Sequence, residues 1–146
     1  MRLTIRTNLA MRALMFCAVN ADRTVRKADI ARACNASENH LGVVIHMLAQ
    51  TGFIETTRGR GGGIRLAMAP ADISVGKVFR VFESAVPFAE CFAGSDNQCP
   101  LTACCRLRQK LSAALEAFYA SLDAVSLADL VDDNAGLEAL LARTDA

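Results

Sequence analysis

Apolar residues in the first fifty positions recur every three or four residues, which is the period of an α-helix. This pattern predicts an amphipathic helix from Thr7 to Asn20 and a second, shorter helix from Lys27 to Cys34. Ser37 is a good N-cap residue for a third helix that runs to about Thr51. The third helix carries an apolar stripe made of Leu41, Val44, Ile45 and Leu48. We therefore expect this helix to pack on one side only.

The pattern then changes to two short runs that favour β-strands. Residues 53–57 and 63–66 lie on either side of the segment Arg58-Gly59-Arg60-Gly61-Gly62. Three glycines in five residues disfavour a helix and suit the tip of a β-hairpin. A helix, a short turn, a second helix and a β-hairpin in this order are typical of a winged helix-turn-helix domain.

The second half of the chain returns to helical spacing. Residues 74–83 predict a helix with one apolar side, whereas residues 84–99 contain Pro, Gly, Asp and Asn and predict a loop. Pro100 is expected to open a long helix with an apolar stripe of about four turns. This stripe consists of Leu107, Leu111, Ala114, Leu115, Phe118 and Leu122. A capping box over residues 126–129 predicts a last short helical region.

These elements predict a mainly α-helical chain with three regions. Residues 1–83 are a winged helix-turn-helix domain with a small β-hairpin wing, residues 84–105 are a cysteine-bearing loop, and residues 106–146 are a long C-terminal helix with short helices after it. A chain of 146 residues can bury one core without disulfides. Hydrophobic residues make up 53% and charged residues 21%, which excludes intrinsic disorder.

The overall charge of +1 hides a strong division along the chain. Residues 1–70 hold ten Lys and Arg against four Asp and Glu, a net charge of +6, and residues 71–146 hold six against eleven, a net charge of −5. A basic first half indicates a surface for a polyanion. With a helix-turn-helix present, double-stranded DNA is the expected partner, because a helix fits the major groove and a cationic hairpin tip suits the minor groove.

The candidate DNA-binding side chains come from the third helix and the hairpin tip. They are Ser37, Asn39, His40 and His46 from the helix, and Arg58 and Arg60 from the tip. The competing interpretations are the solvated face of an ordinary core helix and a plain hairpin turn. A nucleotide-binding phosphate loop matches poorly, because the Lys-Ser/Thr ending of that motif is missing.

Neither a membrane span nor an export signal is expected. The longest apolar stretch near the start, residues 13–19, has seven residues where a span needs roughly 20. Asn20 stands where a cleavage site would need small residues. We expect a cytoplasmic protein, and because no nucleophile–base pair is evident we expect no enzymatic activity.

Six cysteines in a cytosolic chain are more often metal ligands or redox groups than structural disulfides. Cys91, Cys99, Cys104 and Cys105 lie within fifteen residues of one another. The gaps of seven residues between Cys91 and Cys99 and five between Cys99 and Cys105 exceed the two to four of structural zinc pairs, and favour an iron–sulfur cluster. Cys104 adjoins Cys105, and adjacent side chains rarely meet at one site. Zinc, buried free thiols and a reversible thiol–disulfide sensor remain alternatives.

Three segments resemble the Rrf family of bacterial winged-helix regulators. They are Met1-Arg2-Leu3-Thr4, Arg58-Gly59-Arg60-Gly61-Gly62-Gly63 and Ile73-Ser74-Val75-Gly76-Lys77-Val78. The resemblance covers nearly all of the chain. It implies a homodimer formed through the long C-terminal helix and palindromic operator DNA as partner. It also implies an iron–sulfur cluster near the dimer interface, with Cys91, Cys99 and Cys105 as its ligands.

Within the family, residues 99–108 are most similar to NsrR, its nitric-oxide-sensing repressors. Those repressors can have an Asp that reaches the partner subunit's cluster where this chain has Asn8, a neutral and poorer ligand. Asn8 is therefore a candidate fourth contact. The pair Thr7-Asn8 and the run Glu90-Cys91-Phe92 are instead similar to RirA, the iron-responsive repressors.

The resemblance implies a repressor that releases its operator when nitric oxide reacts with the cluster. A 4Fe–4S cluster is expected ahead of a 2Fe–2S cluster. The alternatives are a repressor that responds to iron or cluster status, and a cluster-free thiol redox sensor. A small electron-transfer or cluster-carrier protein is a further rival, but it would need no basic winged domain.

Overall fold

The computed structural model describes residues 3–142. Within that range the helices are α1 (Ile5–Val19), α2 (Lys27–Ala33), α3 (Glu38–Gln50), α4 (Val75–Glu83), α5 (Arg106–Asp123), α6 (Leu127–Val131) and α7 (Ala135–Leu141). The strands are β1 (Ile54–Thr57) and β2 (Gly63–Leu66). Short 3₁₀ helices cover Pro70–Asp72, Glu90–Phe92, Gly94–Asp96 and Thr102–Cys104. Residues 1–2 of the predicted DNA-binding domain and residues 143–146 of the predicted C-terminal region lie outside the described residues. The predicted order of helices and hairpin is confirmed.

The core forms around α1, which packs against α3, α4, α6 and β2. Leu14 and Phe16 of α1 are almost fully buried beside Ile30 of α2 and Leu41 of α3. The C-terminal helices join the same core, since Leu127 of α6 is also buried. Thr4 caps the start of α1 by accepting a hydrogen bond from the Thr7 backbone.

The wing is an antiparallel hairpin of β1 and β2, which follow α3 in the chain. Thr57 pairs with Gly63 at its tip, and a separate bridge pairs Val25 with Ile64 through hydrogen bonds of 2.8 and 2.7 Å. Gly59 and Gly61 have φ angles of 89° and 75°, a backbone region that residues other than glycine rarely adopt. The glycine-rich segment is therefore required by the shape of the tip.

One prediction about the second half is wrong. The long helix starts at Arg106 and not at Pro100, because Cys105 is its N-cap residue. Between them Thr102 donates to the Cys99 carbonyl at 2.9 Å and accepts from Asn97 at 2.7 Å. These local hydrogen bonds close a turn in place of the first helical turn that proline alone would favour.

The junction of α4 with α5 and α6 is unusually close. The Val75 backbone N–H donates to the Val125 carbonyl at 2.8 Å, and the Leu127 N–H donates to the Ile73 carbonyl at 2.8 Å. Gly76 faces the end of α5, where a Cβ atom would lie 2.5 Å from the backbone nitrogen of Asp123. Only glycine fits there without moving backbone.

Two glycine-to-alanine changes inside helices should therefore have opposite effects. Gly76→Ala is expected to lower the free energy of unfolding by about 1–3 kcal/mol, because it overpacks the α4–α5 junction. Gly42→Ala is the matched control, since its Cβ would meet only Lys27 Nζ at 3.8 Å, an ordinary contact. Gly42→Ala should raise the free energy of unfolding by about 0.5–1 kcal/mol. Urea denaturation measures both, and a neutral Gly76→Ala would contradict the close packing.

Candidate functional site

The outer face of α3 presents all of its predicted base-reading side chains to solvent. Ser37, Asn39, His40 and His46 are exposed, whereas the apolar stripe is buried in the core. Ser37 is the N-cap residue of α3, but its side chain makes no capping hydrogen bond. The helix thus offers one hydroxyl, one amide and two imidazoles on the side that faces away from the protein.

The predicted wing arginines project from the hairpin tip. Arg58 and Arg60 are exposed, and within residues 3–142 neither guanidinium lies in an ion pair. Arg65, on β2 of the same wing, is in contrast 3.5 Å from the Glu55 carboxylate. The tip therefore carries two positive charges that no carboxylate in the described chain neutralises.

If the wing contacts DNA, replacing both Arg58 and Arg60 with Ala should weaken binding to every duplex. Each lost phosphate contact removes about 0.9 from the slope of log affinity against log salt, so the slope should fall by about 1.8. Arg65→Ala is the control and should change the slope less, because Glu55 already pairs with its charge. Titrations at several salt concentrations give these slopes. An unchanged slope in the double variant would remove the wing from the interface.

Sequence reasoning missed further residues beside this face. Val43 is 49% exposed and lies between His40 and His46 on α3. Arg6 lies near it at the start of α1, and the Lys27 ammonium lies beside Gly42. The spacing of three residues on each side of Val43 is a signal that could have found it.

The cysteine loop, residues 84–105, is held by 3₁₀ helices and side-chain hydrogen bonds. Cys91, Cys99 and Cys105 are half-buried, whereas Cys104 is exposed. The segment around Cys99 is fixed by Asn97, whose side-chain Oδ1 accepts a hydrogen bond from the Cys99 N–H at 3.0 Å. The loop therefore orders its thiols without a regular helix or strand around them.

Arg108, in the first turn of α5, connects the Cys91 segment of this loop to the loop's C-terminal end. Its Nε donates to the Cys91 carbonyl at 3.2 Å, and its guanidinium stacks 5.5 Å from the centre of the Phe92 ring. Its backbone N–H donates to Cys105 Sγ at 3.4 Å. The Cys91 segment and the Cys105 thiol are thus joined through one residue. The sequence gives no signal for this contact, because the partners are seventeen residues apart.

The donor set suits an iron–sulfur cluster, although the thiols are not assembled around one point. Three thiolates on one loop are the soft ligands that iron–sulfur clusters take. Among residues 3–142, no three His, Cys, Asp or Glu side chains lie close enough together to hold a metal ion. Asn8 is exposed on α1 and is not brought to the cysteines by a hydrogen bond within the described chain.

The two remaining cysteines belong to the core. Burial, and then the neighbouring Cys34, raise the pKa of Cys17 to about 12. Burial also raises the pKa of Cys34, against the opposing effect of the Arg12 charge. Both thiols stay protonated at neutral pH, which makes them poor ligands and poor nucleophiles.

Polar contacts hold α4, the helix that leads into the cysteine loop, against α1 and α5. Glu83, the last residue of α4 and the one before the loop, is buried and accepts hydrogen bonds from the Thr4 N–H at 2.9 Å and from the Thr7 hydroxyl. Arg80 of α4 pairs with Glu116 at 2.9 Å and Asp123 at 2.8 Å on α5. This pairing lowers the pKa of the Asp123 carboxyl.

The long helix α5 has no buried residue in the described chain. Phe118 packs against Phe79 of α4, with ring centres 6.3 Å apart, and Leu122 packs on the core. Leu107, at 64% exposure, and the half-buried Leu111 lie farther along, towards the start of the helix. That half of the predicted stripe has no covering element in the described residues.

Within residues 3–142, no helix is both long and apolar enough to cross a membrane.

Comparison with known proteins identifies the family. The model of the Rrf2 family, described as iron-dependent transcriptional regulator, matches residues 3–133. An HTH-type transcriptional regulator NsrR from Geobacillus kaustophilus is 48% identical over 142 residues, which cover 97% of each chain. An HTH-type transcriptional repressor NsrR from Streptomyces coelicolor is 40% identical over 147 residues, covering 99% of this chain and 97% of the relative.

The solved structure of IscR from T. potens has a similar fold. Its TM-score is 0.73 at 24% identity, with 91% of this chain and 88% of that chain covered. This similarity confirms the predicted fold class. The relatives are named as transcriptional regulators, which confirms the expectation that the chain is a regulator and not an enzyme. The chain belongs to the Rrf2 family of transcriptional regulators.

Proposed function

We propose that this chain is a cytoplasmic, homodimeric repressor that binds palindromic operator DNA and senses nitric oxide through an iron–sulfur cluster. The observation that carries the proposal is the placement of Arg108, which ties a loop with three half-buried thiols to α5. The same chain presents an exposed α3 and wing of DNA-binding type. The NsrR names of the relatives support the choice of signal.

The DNA interface consists of α3 in the major groove and the wing tip in the minor groove. Ser37, Asn39, His40 and His46 would face base edges or nearby phosphates, and the tip arginines would enter the narrow groove. In a two-fold symmetric dimer the two α3 helices meet half-sites about 34 Å apart, one turn of DNA. A palindromic operator follows from that symmetry.

The dimer interface is assigned to the uncovered start of α5. Leu107, Leu111 and Leu115 lie four residues apart, so they share one side of the helix. None of the three is buried within the described chain, although one-sided apolar helices usually bury that side. A second copy of the same helix, related by two-fold symmetry, would cover it.

Cys91, Cys99 and Cys105 would hold the cluster, and 4Fe–4S is proposed ahead of 2Fe–2S because three thiolates and a weak fourth contact suit it. The bound cluster would supply iron that reacts with nitric oxide. Arg108 keeps the Cys91 segment at the loop's C-terminal end, and the exposed Asn8 would offer the fourth contact to the partner subunit's loop.

The contacts around the loop provide a route from the thiols to the DNA-binding surface. Glu83 joins the start of the loop to the first turn of α1, and Arg80 joins α4 to α5. A change in the loop would therefore alter how α1 and α5 sit, and with them the distance between the two α3 helices. DNA is released to the extent that the operator prefers one of the two arrangements.

Arg108→Ala should accelerate cluster loss because it frees the Cys91 segment from α5. The expected result is a several-fold faster decay of the visible absorbance of anaerobic protein exposed to a chelator. Arg106→Ala is the matched control, since that arginine is exposed on the same turn and its side chain makes no ion pair or ring contact within residues 3–142. Equal decay rates in both variants would mean that Arg108 does not hold the loop.

An iron-responsive repressor is the second candidate, favoured by the family description as iron-dependent. Anaerobic protein tested on an operator selected from random duplexes separates the two functions. Nitric oxide should release the DNA promptly, whereas the iron-responsive alternative predicts release on chelation and little immediate effect of nitric oxide. Tight operator binding that is identical for cluster-loaded and cluster-free protein would contradict both and favour a different sensor.

A further inference from the structure

The polar outer face of α3 has an apolar residue at its centre. Val43 is 49% exposed, three residues after His40 and three before His46, so the three side chains share one side of the helix. The opposite side of α3 already supplies the core contacts. Valine is also a weaker helix former than the polar residues common on solvated faces. Neither packing nor helix formation accounts for Val43.

Val43 is one wall of a shallow hollow between α3 and α1. Ile5, Arg6, Leu9 and His40 complete the hollow, whose volume is about 180 Å³. Ile5 is 70% exposed, so two branched aliphatic side chains face solvent side by side. The hollow is thus small and apolar, with one cation and one imidazole at its edge.

The charges around the hollow indicate what covers it. Arg6 lines the hollow, and Lys27 Nζ lies 3.8 Å from the point where a Cβ of Gly42, the residue before Val43, would be. Within the described residues neither cation is in an ion pair. An apolar centre flanked by cations matches a DNA groove, where phosphates border the base edges.

The major groove has one apolar group to offer. This group is the C5-methyl of thymine, which an A·T pair presents in the major groove and which small aliphatic side chains contact. We propose that Val43, with Ile5 beside it, reads the C5-methyl of a thymine in each half-site. This inference rests on the proposed operator binding and names a specificity-determining residue within it.

The test uses deoxyuridine, which differs from thymine only by this methyl group. In the selected operator each thymine is replaced in turn, symmetrically in both half-sites, and the dissociation constant is measured with the full-length protein. At the thymine that Val43 reads, loss of one methyl contact should weaken binding about fourfold, or about 0.8 kcal/mol at about 1.4 kcal/mol per factor of ten. Because both half-sites are changed together, the measured dissociation constant should rise about 16-fold.

The Val43→Ala variant should distinguish thymine from deoxyuridine at that position less than the wild type does, because its shorter side chain contacts the methyl group less closely. An exposed helix position accepts Ala readily, so this variant should fold. Leu140→Ala is the control, because Leu140 is an exposed apolar residue (78%) on α7, away from α3, and it should keep the full sensitivity.

Two results would overturn the inference while leaving the proposed function intact. Either no deoxyuridine substitution weakens operator binding by the wild-type protein, or Val43→Ala stays as sensitive to deoxyuridine as the wild type. Failure of the wild-type protein to select any sequence from random duplexes would instead refute operator binding itself, and Val43 readout with it.

Discussion

Replacing any one of Cys91, Cys99 or Cys105 with Ala is expected to abolish the iron–sulfur cluster. In the proposed site each would supply a required anionic ligand, and among the described residues the loop has no other half-buried thiol to replace it. The purified variants should be colourless under anaerobic conditions and hold almost no iron or acid-labile sulfide. The variants should also lose cluster-dependent operator binding.

The other cysteines are the controls for this prediction. Cys104 is exposed, while Cys17 and Cys34 are buried and protonated in the core. Cys104→Ala, Cys17→Ala and Cys34→Ala should all keep the visible absorbance and the nitric oxide response. Loss of the cluster in Cys104→Ala together with its retention in Cys105→Ala would reverse the assignment of ligands.

The second large effect is expected from the double variant Leu111→Asp and Leu115→Asp. Two carboxylates in the proposed seam between α5 helices would have to be desolvated, at a cost of several kcal/mol, so the protein should become monomeric. A monomer engages one half-site instead of two. Operator affinity should then fall by about two to four orders of magnitude, because the second contact is no longer intramolecular.

Light scattering measures the oligomeric state, and circular dichroism verifies the helix content. Gln109→Asp places a charge on an exposed position of the same helix and should leave the dimer intact. If the leucine double variant stays dimeric while folded, the interface lies elsewhere on the surface.

Most of the fold could be predicted because the hydrophobic period directly reflects which side of each helix is buried. In α3, the stripe from Leu41 to Leu48 is buried as expected, and the Ser126–Asp129 capping box forms. The non-helical turn between Pro100 and Arg106 could not be predicted in the same way. It depends on hydrogen bonds among Asn97, Cys99 and Thr102, and periodicity does not report such side-chain networks.

The parts of the candidate site that lie on a single helix could be predicted from the sequence. Exposure of Asn39 and His40 follows from the helix face alone. Arg108 and Glu83 were missed because their contacts join residues far apart in sequence. Whether three thiols meet around a cluster depends on the bound group as well as the chain, so sequence spacing predicts the ligands but not the assembled site.

The most direct measurement of the central claim is a nitric oxide titration of anaerobic protein bound to its selected, fluorescently labelled operator. Visible absorbance and fluorescence anisotropy are recorded on the same sample, after iron and sulfide have been determined. The account predicts that the cluster absorbance changes and the DNA is released together, with both signals complete at the same amount of nitric oxide. Colourless protein without iron that binds the operator tightly, or DNA that stays bound after the absorbance has changed, would contradict it.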